Sequence, residues 1–80
     1  MNHEKITEEL VKIKEIWEES KALGNTNFGK KLQVIYNFVL SLTEPNRFTD
    51  IEKEDLRRLA KELNFTEDSN FDQWISSIRQ

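Results

Sequence analysis

The chain has 80 residues, a formal net charge of −3 and no cysteine. A chain of this length is enough for one domain around one hydrophobic core. The absence of cysteine excludes disulfide bonds, thiolate zinc sites and cysteine nucleophiles. The interspersed acids and bases argue against general binding to a phosphate backbone. No apolar run reaches the roughly 20 residues of a membrane span, and the charged N-terminus does not resemble a secretion signal. We therefore expect a cytoplasmic protein without a membrane span.

The first predicted helix covers residues 8–23. Thr7 is expected to be its N-cap, because a threonine hydroxyl can accept a hydrogen bond from a free backbone N–H of the first turn. Gly24 is expected to end the helix in the left-handed conformation. The apolar residues recur at helical spacing and predict one buried face. This face consists of Ile6, Leu10, Ile13, Ile16, Trp17 and Leu23.

The second predicted helix covers residues 28–43 and is the most apolar segment of the chain. Between positions 32 and 42 only Gln33, Asn37 and Ser41 are polar. They are four residues apart, so they are expected to form one narrow strip that faces water. Pro45 prevents the helix from continuing. Because the rest of its circumference is apolar, this helix is expected to lie at the centre of a bundle.

Two further helices are predicted, over residues 50–63 and 70–78. Thr49 and Glu52 form a capping box at the start of the third helix, and Asn64 is a left-handed residue at its end. The fourth helix is short and has its apolar residues at i, i+3, i+4 and i+7. These residues are Phe71, Trp74, Ile75 and Ile78. Short loops between four helices predict an all-α, single-domain, antiparallel four-helix bundle.

Residue types that could carry catalysis are sparse. His3 is the one histidine and precedes the first predicted helix, so the serines lack a packed base for a hydrolase triad. The acidic residues 50–55 lack the glycine of a calcium loop and suit a helix N-terminus electrostatically. Gly29 and the two following lysines complete no phosphate-binding loop. We expect a protein that is not an enzyme and has no cofactor or metal; catalysis would require a bound cofactor.

Two surfaces are candidates for binding a partner. The margins of the second helix are apolar, and four short helices can leave some of this surface uncovered, although a central helix wrapped on three sides is the alternative. The basic side of the third helix would supply a polar rim. The predicted contact residues are Val34, Tyr36, Leu40, Arg57, Arg58 and Lys61. The partner is expected to be another protein, or a second copy in a homodimer.

Nucleic-acid binding through the basic side of the third helix is the alternative function. Arg57, Arg58 and Lys61 lie on one side of that helix, as in a recognition helix. Acidic residues are interleaved with them and would repel phosphates. Pairing of Glu54 with Arg58, four residues apart, is the simpler explanation of this pattern. Nucleic acid is therefore the less favoured partner.

Residues 47–59, RFTDIEKEDLRRL, resemble a stretch of pediocin-like bacteriocin immunity proteins, in which an R-F-T cap also opens an acidic amphipathic helix. Those proteins are non-enzymatic four-helix bundles that protect the bacterium producing the bacteriocin. The resemblance implies a cytoplasmic protein that acts by binding. We therefore expect a small bacterial or phage protein that works as an inhibitor, adaptor or immunity-type regulator.

Overall fold

The computed structural model describes the backbone of residues 3–24 and 26–79 and the side chains of residues 6–24 and 26–78. Along the described residues, four α-helices follow one another, with one short 3₁₀ helix at Pro45–Arg47. Their bounds are α1 His3–Ala22, α2 Thr26–Thr43, α3 Asp50–Glu62 and α4 Phe71–Arg79. No strand occurs in the part of the chain that the structure describes. The predicted all-α four-helix bundle with a short fourth helix is confirmed.

All four helices and the α3–α4 connection contribute to one hydrophobic core. α2 packs against both α1 and α3, and its residues Leu32 and Ile35 are fully buried. The prediction that this apolar helix is central is therefore confirmed. The buried apolar residues are Ile6, Ile13, Leu32, Ile35, Phe38, Val39, Ala60, Phe65, Phe71, Trp74 and Ile75.

α1 and α2 approach closely at Gly29. A Cβ atom at this position would lie 3.3 Å from Ser20 Oγ and 3.4 Å from Trp17 Cδ1. The absence of a side chain therefore lets the Trp17 ring lie directly on the α2 backbone. Ser20 is itself buried, and its hydroxyl donates a hydrogen bond to the Trp17 carbonyl at 2.7 Å.

The predicted helix ends are largely confirmed. Gly24 and Asn64 have φ angles of 75° and 63°, in the left-handed region. The Thr49 hydroxyl accepts a hydrogen bond from the Glu52 N–H at 3.1 Å, and the Glu52 carboxylate accepts one from the Thr49 N–H at 2.9 Å. α2 ends at Thr43, two residues before the proline that stops it. Local chemistry therefore sets where these helices begin and end.

The start of α1 differs from the prediction. The helix begins at His3, so Thr7 lies inside it and is not its N-cap. Residues 4 and 5 are glutamate and lysine, which are strong helix formers and allow the helix to extend toward the N-terminus. His3 accordingly lies in α1 rather than ahead of it, while its side chain lies outside the described side chains.

Two residues are placed differently from their predicted environments. Leu23 was expected in the buried face of the first helix, but it lies in the turn after Ala22 and is 78% exposed. Ser41 was expected to face water, but it is buried and its hydroxyl donates to the Phe38 carbonyl at 2.6 Å. This bond returns to the helix's own backbone, so burial leaves the hydroxyl satisfied.

Candidate protein-binding site

A surface cleft lies between α3 and the segment that connects α3 to α4. Its volume is about 480 Å³. We call it the charged cleft, and its lining residues are Phe38, Arg57, Lys61, Phe65, Thr66, Glu67 and Asp68. Helix α3 forms a basic wall, the connecting segment forms an acidic wall, and the two buried phenylalanines lie at the bottom.

The basic wall arises from the helical spacing of Arg57 and Lys61. They are four positions apart in sequence, which places them about 40° apart around the helix axis and about one turn apart along it. Arg58 is about 100° from Arg57 around the axis and is not among the residues that line the cleft. The structure therefore brings together two of the three basic residues predicted for the rim and separates the third.

Arg58 is engaged in ion pairs on the outer face of α3. Its guanidinium nitrogens lie 3.6 Å from carboxylate oxygens of Asp55 and of Glu62. The predicted pairing with Glu54 is therefore wrong, although the general expectation of local ion pairing on this helix holds. Asp55 at i−3 and Glu62 at i+4 are neighbours of Arg58 on the helix surface, but Glu54 at i−4 is one as well, so helical spacing alone does not select the partner.

The acidic wall is fixed by the way the chain leaves α3. Asn64 adopts its left-handed conformation, and the Phe65 N–H then donates to the Ala60 carbonyl at 2.9 Å. This bond returns the Phe65 ring into the core. A turn follows, in which the Thr66 N–H donates to Ser69 Oγ at 2.9 Å. The two acidic residues of the cleft lie within this turn.

One ion pair links the two walls. Arg57 Nη2 lies 3.3 Å from Glu67 Oε1, and the two side chains are 66% and 52% exposed. Lys61 is exposed and has no ion-pair partner among the described residues. The charged cleft therefore contains one cation held loosely across its mouth and another that is free to meet an external anion.

The apolar residues predicted for the interface are divided between two sides of α2. Val34 is one turn before Phe38 and on the same side of the helix, but it is not among the residues that line the charged cleft. Tyr36 and Leu40 are each about 160° from Phe38 around the axis. All three are half-buried, and Tyr36 packs against the core. The three residues therefore do not form one exposed patch.

The most exposed large apolar side chains are elsewhere. Besides Leu23, Ile51 is 75% exposed and Val11 is 53% exposed. Helical spacing places Ile51 on the outer face of α3, about 180° from the buried Ala60. An isolated apolar residue on an otherwise charged face was the sequence signal for this position.

Phe65 and residues 66–68 of the cleft were missed as site residues because they were interpreted only as a cap and a turn.

The carboxyl group of Glu52 has a perturbed pKa. The pKa of Glu52 is lowered by the hydrogen bond from the Thr49 backbone N–H and then by that from the Thr49 side chain. This shift follows from helix capping. Within the described residues, no cluster of three or more histidine, aspartate or glutamate side chains is arranged to hold a metal ion.

The fold and the charged cleft define a small all-α bundle protein with a surface cleft of mixed charge. Comparison of the chain with family models, curated proteins and solved structures finds no match. None of the described helices combines the length and apolarity needed to cross a membrane.

Proposed function

We propose that this chain is a non-enzymatic cytoplasmic protein that binds another protein through the charged cleft. It would act as an inhibitor, adaptor or immunity-type regulator in a bacterium or a phage. The observation that carries the proposal is the position of Lys61, a cation without an ion-pair partner among the described residues, beside a pair of aromatic rings. Interfaces commonly surround a packed centre with a charged rim, and Lys61 and the exposed Arg57–Glu67 pair would supply that rim.

The resemblance of residues 47–59 to bacteriocin immunity proteins supports the same class of function. This segment begins at the last residue of the 3₁₀ helix, contains the capping box and the first turns of α3, and includes Arg57 of the basic wall. A binding role would therefore use the helix that carries the resemblance.

Nucleic-acid binding receives less support from the geometry. Arg47, Arg57 and Arg58 each lie within 3.6 Å of a carboxylate oxygen. A phosphate would have to displace these carboxylates, and the acidic side chains would remain close to the phosphate backbone. Binding of this kind would be strongest at low salt.

The proposal is tested by quantitative affinity capture with the full chain immobilised and the lysate of its host as the source of partners. Lys61→Glu is the test variant, and Lys30→Glu is its matched control, because Lys30 is also an exposed helical lysine. A specific protein captured by the wild type and by Lys30→Glu, but lost with Lys61→Glu, is the expected result.

Equal capture by all three chains, or no specific capture, would reject the proposal. Size-exclusion chromatography with light scattering identifies a second copy as the partner if a dimer forms and Lys61→Glu dissociates it. Salt-sensitive binding of a labelled DNA or RNA duplex that is lost with Lys61→Glu would instead establish the nucleic-acid alternative.

A further inference from the structure

The two walls of the charged cleft carry charges of opposite sign. Arg57 and Lys61 lie on the α3 wall, and Glu67 and Asp68 lie on the wall formed by the connecting segment. The lining is therefore neutral in sum but dipolar across its width. Such a surface favours a ligand that is itself dipolar over one that carries only one sign of charge.

We propose that the charged cleft recognises a segment of a partner protein in which an apolar side chain lies between an acidic and a basic residue. The acidic residue faces α3, the basic residue faces the connecting segment, and the apolar side chain enters between them. This inference rests on the proposed protein-binding function and specifies the chemistry of the partner.

The basic wall offers a suitable site for a carboxylate. Neighbours at i and i+4 on a helix have Cβ atoms about 5–6 Å apart, so one carboxylate between Arg57 and Lys61 can contact both side chains. Arginine can bind a carboxylate with two parallel hydrogen bonds, which fixes its orientation. Lys61 is available for this contact without breaking an ion pair among the described residues.

The acidic wall becomes available when the ligand binds. The ligand's carboxylate replaces Glu67 as the partner of Arg57, and Glu67 is then free to accept the ligand's cation. Because both members of the existing pair are more than half exposed, their separation costs little. Asp68 has no ion-pair partner among the described residues and supplies a second negative group on the same wall.

The apolar side chain packs against the aliphatic stems of Arg57 and Lys61, above a bottom that is closed by two phenylalanine rings, each about 2% exposed. The Phe38 and Phe65 rings are edge to face, with centroids 6.0 Å apart and an interplanar angle of 89°. The ion pair at the mouth is solvated, so the cleft would leave a small ligand largely exposed, whereas small-molecule sites usually bury most of the ligand. A protein segment brings its own covering surface and is the better match.

The inference is tested by titrating short capped peptides into the ¹⁵N-labelled full chain and following amide shifts by NMR. The test peptides contain Glu-Leu-Lys or Lys-Leu-Glu between Gly-Ser spacers, since the chain direction in the cleft is not specified by the charges. The comparison peptides contain Glu-Leu-Glu, Lys-Leu-Lys or Glu-Ser-Lys in the same spacers.

At least one mixed-charge leucine peptide should shift amides of residues 57–68 and bind about threefold or more tightly than each comparison peptide. Lys61→Gln should weaken that binding about threefold, whereas Lys30→Gln should not change it. Equal or tighter binding of a comparison peptide, shifts outside the cleft, or no shifts with any peptide would overturn the inference. If the peptide results contradict the inference but partner capture is still lost with Lys61→Glu, the inference fails while the proposed function stands.

Discussion

The aromatic contact between Phe38 and Phe65 should make a measurable energetic contribution to folding. Both rings are about 2% exposed, and Phe65 also contacts Trp74 edge to face at 5.7 Å. Edge-to-face pairs contribute about 0.5–1.5 kcal/mol beyond their buried area. In a double-mutant cycle with Phe38→Leu and Phe65→Leu, we therefore expect a coupling energy of about 0.5–1.5 kcal/mol.

The single variants should also differ in a predictable order. Phe65→Leu removes contacts with two aromatic rings, so it should lower the free energy of unfolding more than Phe38→Leu does. Domains of this size have a total stability of about 4–12 kcal/mol, which allows the double variant to remain folded. Urea unfolding followed by far-UV circular dichroism supplies the four free energies.

A matched cycle of Phe65→Leu with Ile51→Ala should be additive, because Ile51 is 75% exposed on the outer face of α3. If the Phe38 and Phe65 substitutions are additive within about 0.3 kcal/mol as well, the edge-to-face contact contributes nothing specific and the reasoning is refuted. The result also bears on the bottom of the charged cleft, since these two rings form it.

Three further predictions concern the helix ends. Thr49→Ala should lower the free energy of unfolding, measured by urea titration, by about 1 kcal/mol, whereas Thr49→Asp should retain most of the stability. Equal losses in the two variants would contradict the capping box. Because its folded-state pKa is lowered, Glu52 contributes its full stabilisation above its ordinary pKa of 4.5 and loses it as the pH falls through the folded value. Thermal melts of wild type and Glu52→Gln should therefore converge in acid, and a constant difference from pH 6 to 2.5 would be inconsistent with this linkage. Gly24→Ala should lower the free energy of unfolding by about 1 kcal/mol because φ is 75° at this position, whereas Asn64→Gly should leave it unchanged or raise it. Chemical denaturation measures both variants. An unchanged stability of Gly24→Ala would show that the turn adjusts to the side chain.

Local chemistry made most helix ends predictable from the sequence. Gly24, Pro45, Asn64 and the pair Thr49 and Glu52 each act through their own backbone or through groups within three residues. The apolar periodicity of α2 likewise predicted its central position, because a helix with so little polar surface must be covered.

The errors arose where the neighbouring part of the fold decides the outcome. Ser41 belongs to a polar strip by spacing, but it is buried in a helix that packs against α1, the 3₁₀ helix and α3. Thr7 is a good capping residue, yet favourable helix formers precede it and the helix continues through it. Such choices depend on competition between structures that one segment alone does not reveal.

The candidate site was predictable only in part for the same reason. Arg57 and Lys61 could be grouped by helical spacing, and both reach the charged cleft. The opposing wall comes from residues 66–68, whose distance from α3 depends on the left-handed turn at Asn64. Sequence periodicity describes one helix at a time and therefore could not show that the two walls face each other.

The two tryptophans provide separate spectroscopic reporters of the two halves of the bundle. The Trp17 indole lies against the α1–α2 contact at Gly29, with the Lys21 ammonium 4.8 Å from its centroid. The Trp74 indole N–H instead donates to the Leu63 carbonyl at 2.7 Å and joins α4 to the end of α3. In the Trp17→Phe variant, the fluorescence of Trp74 therefore reports the docking of α4. In the Trp74→Phe variant, the fluorescence of Trp17 reports the packing of the hairpin formed by α1 and α2. Comparing the two signals would show whether the hairpin and α4 separate in one cooperative event or in sequence.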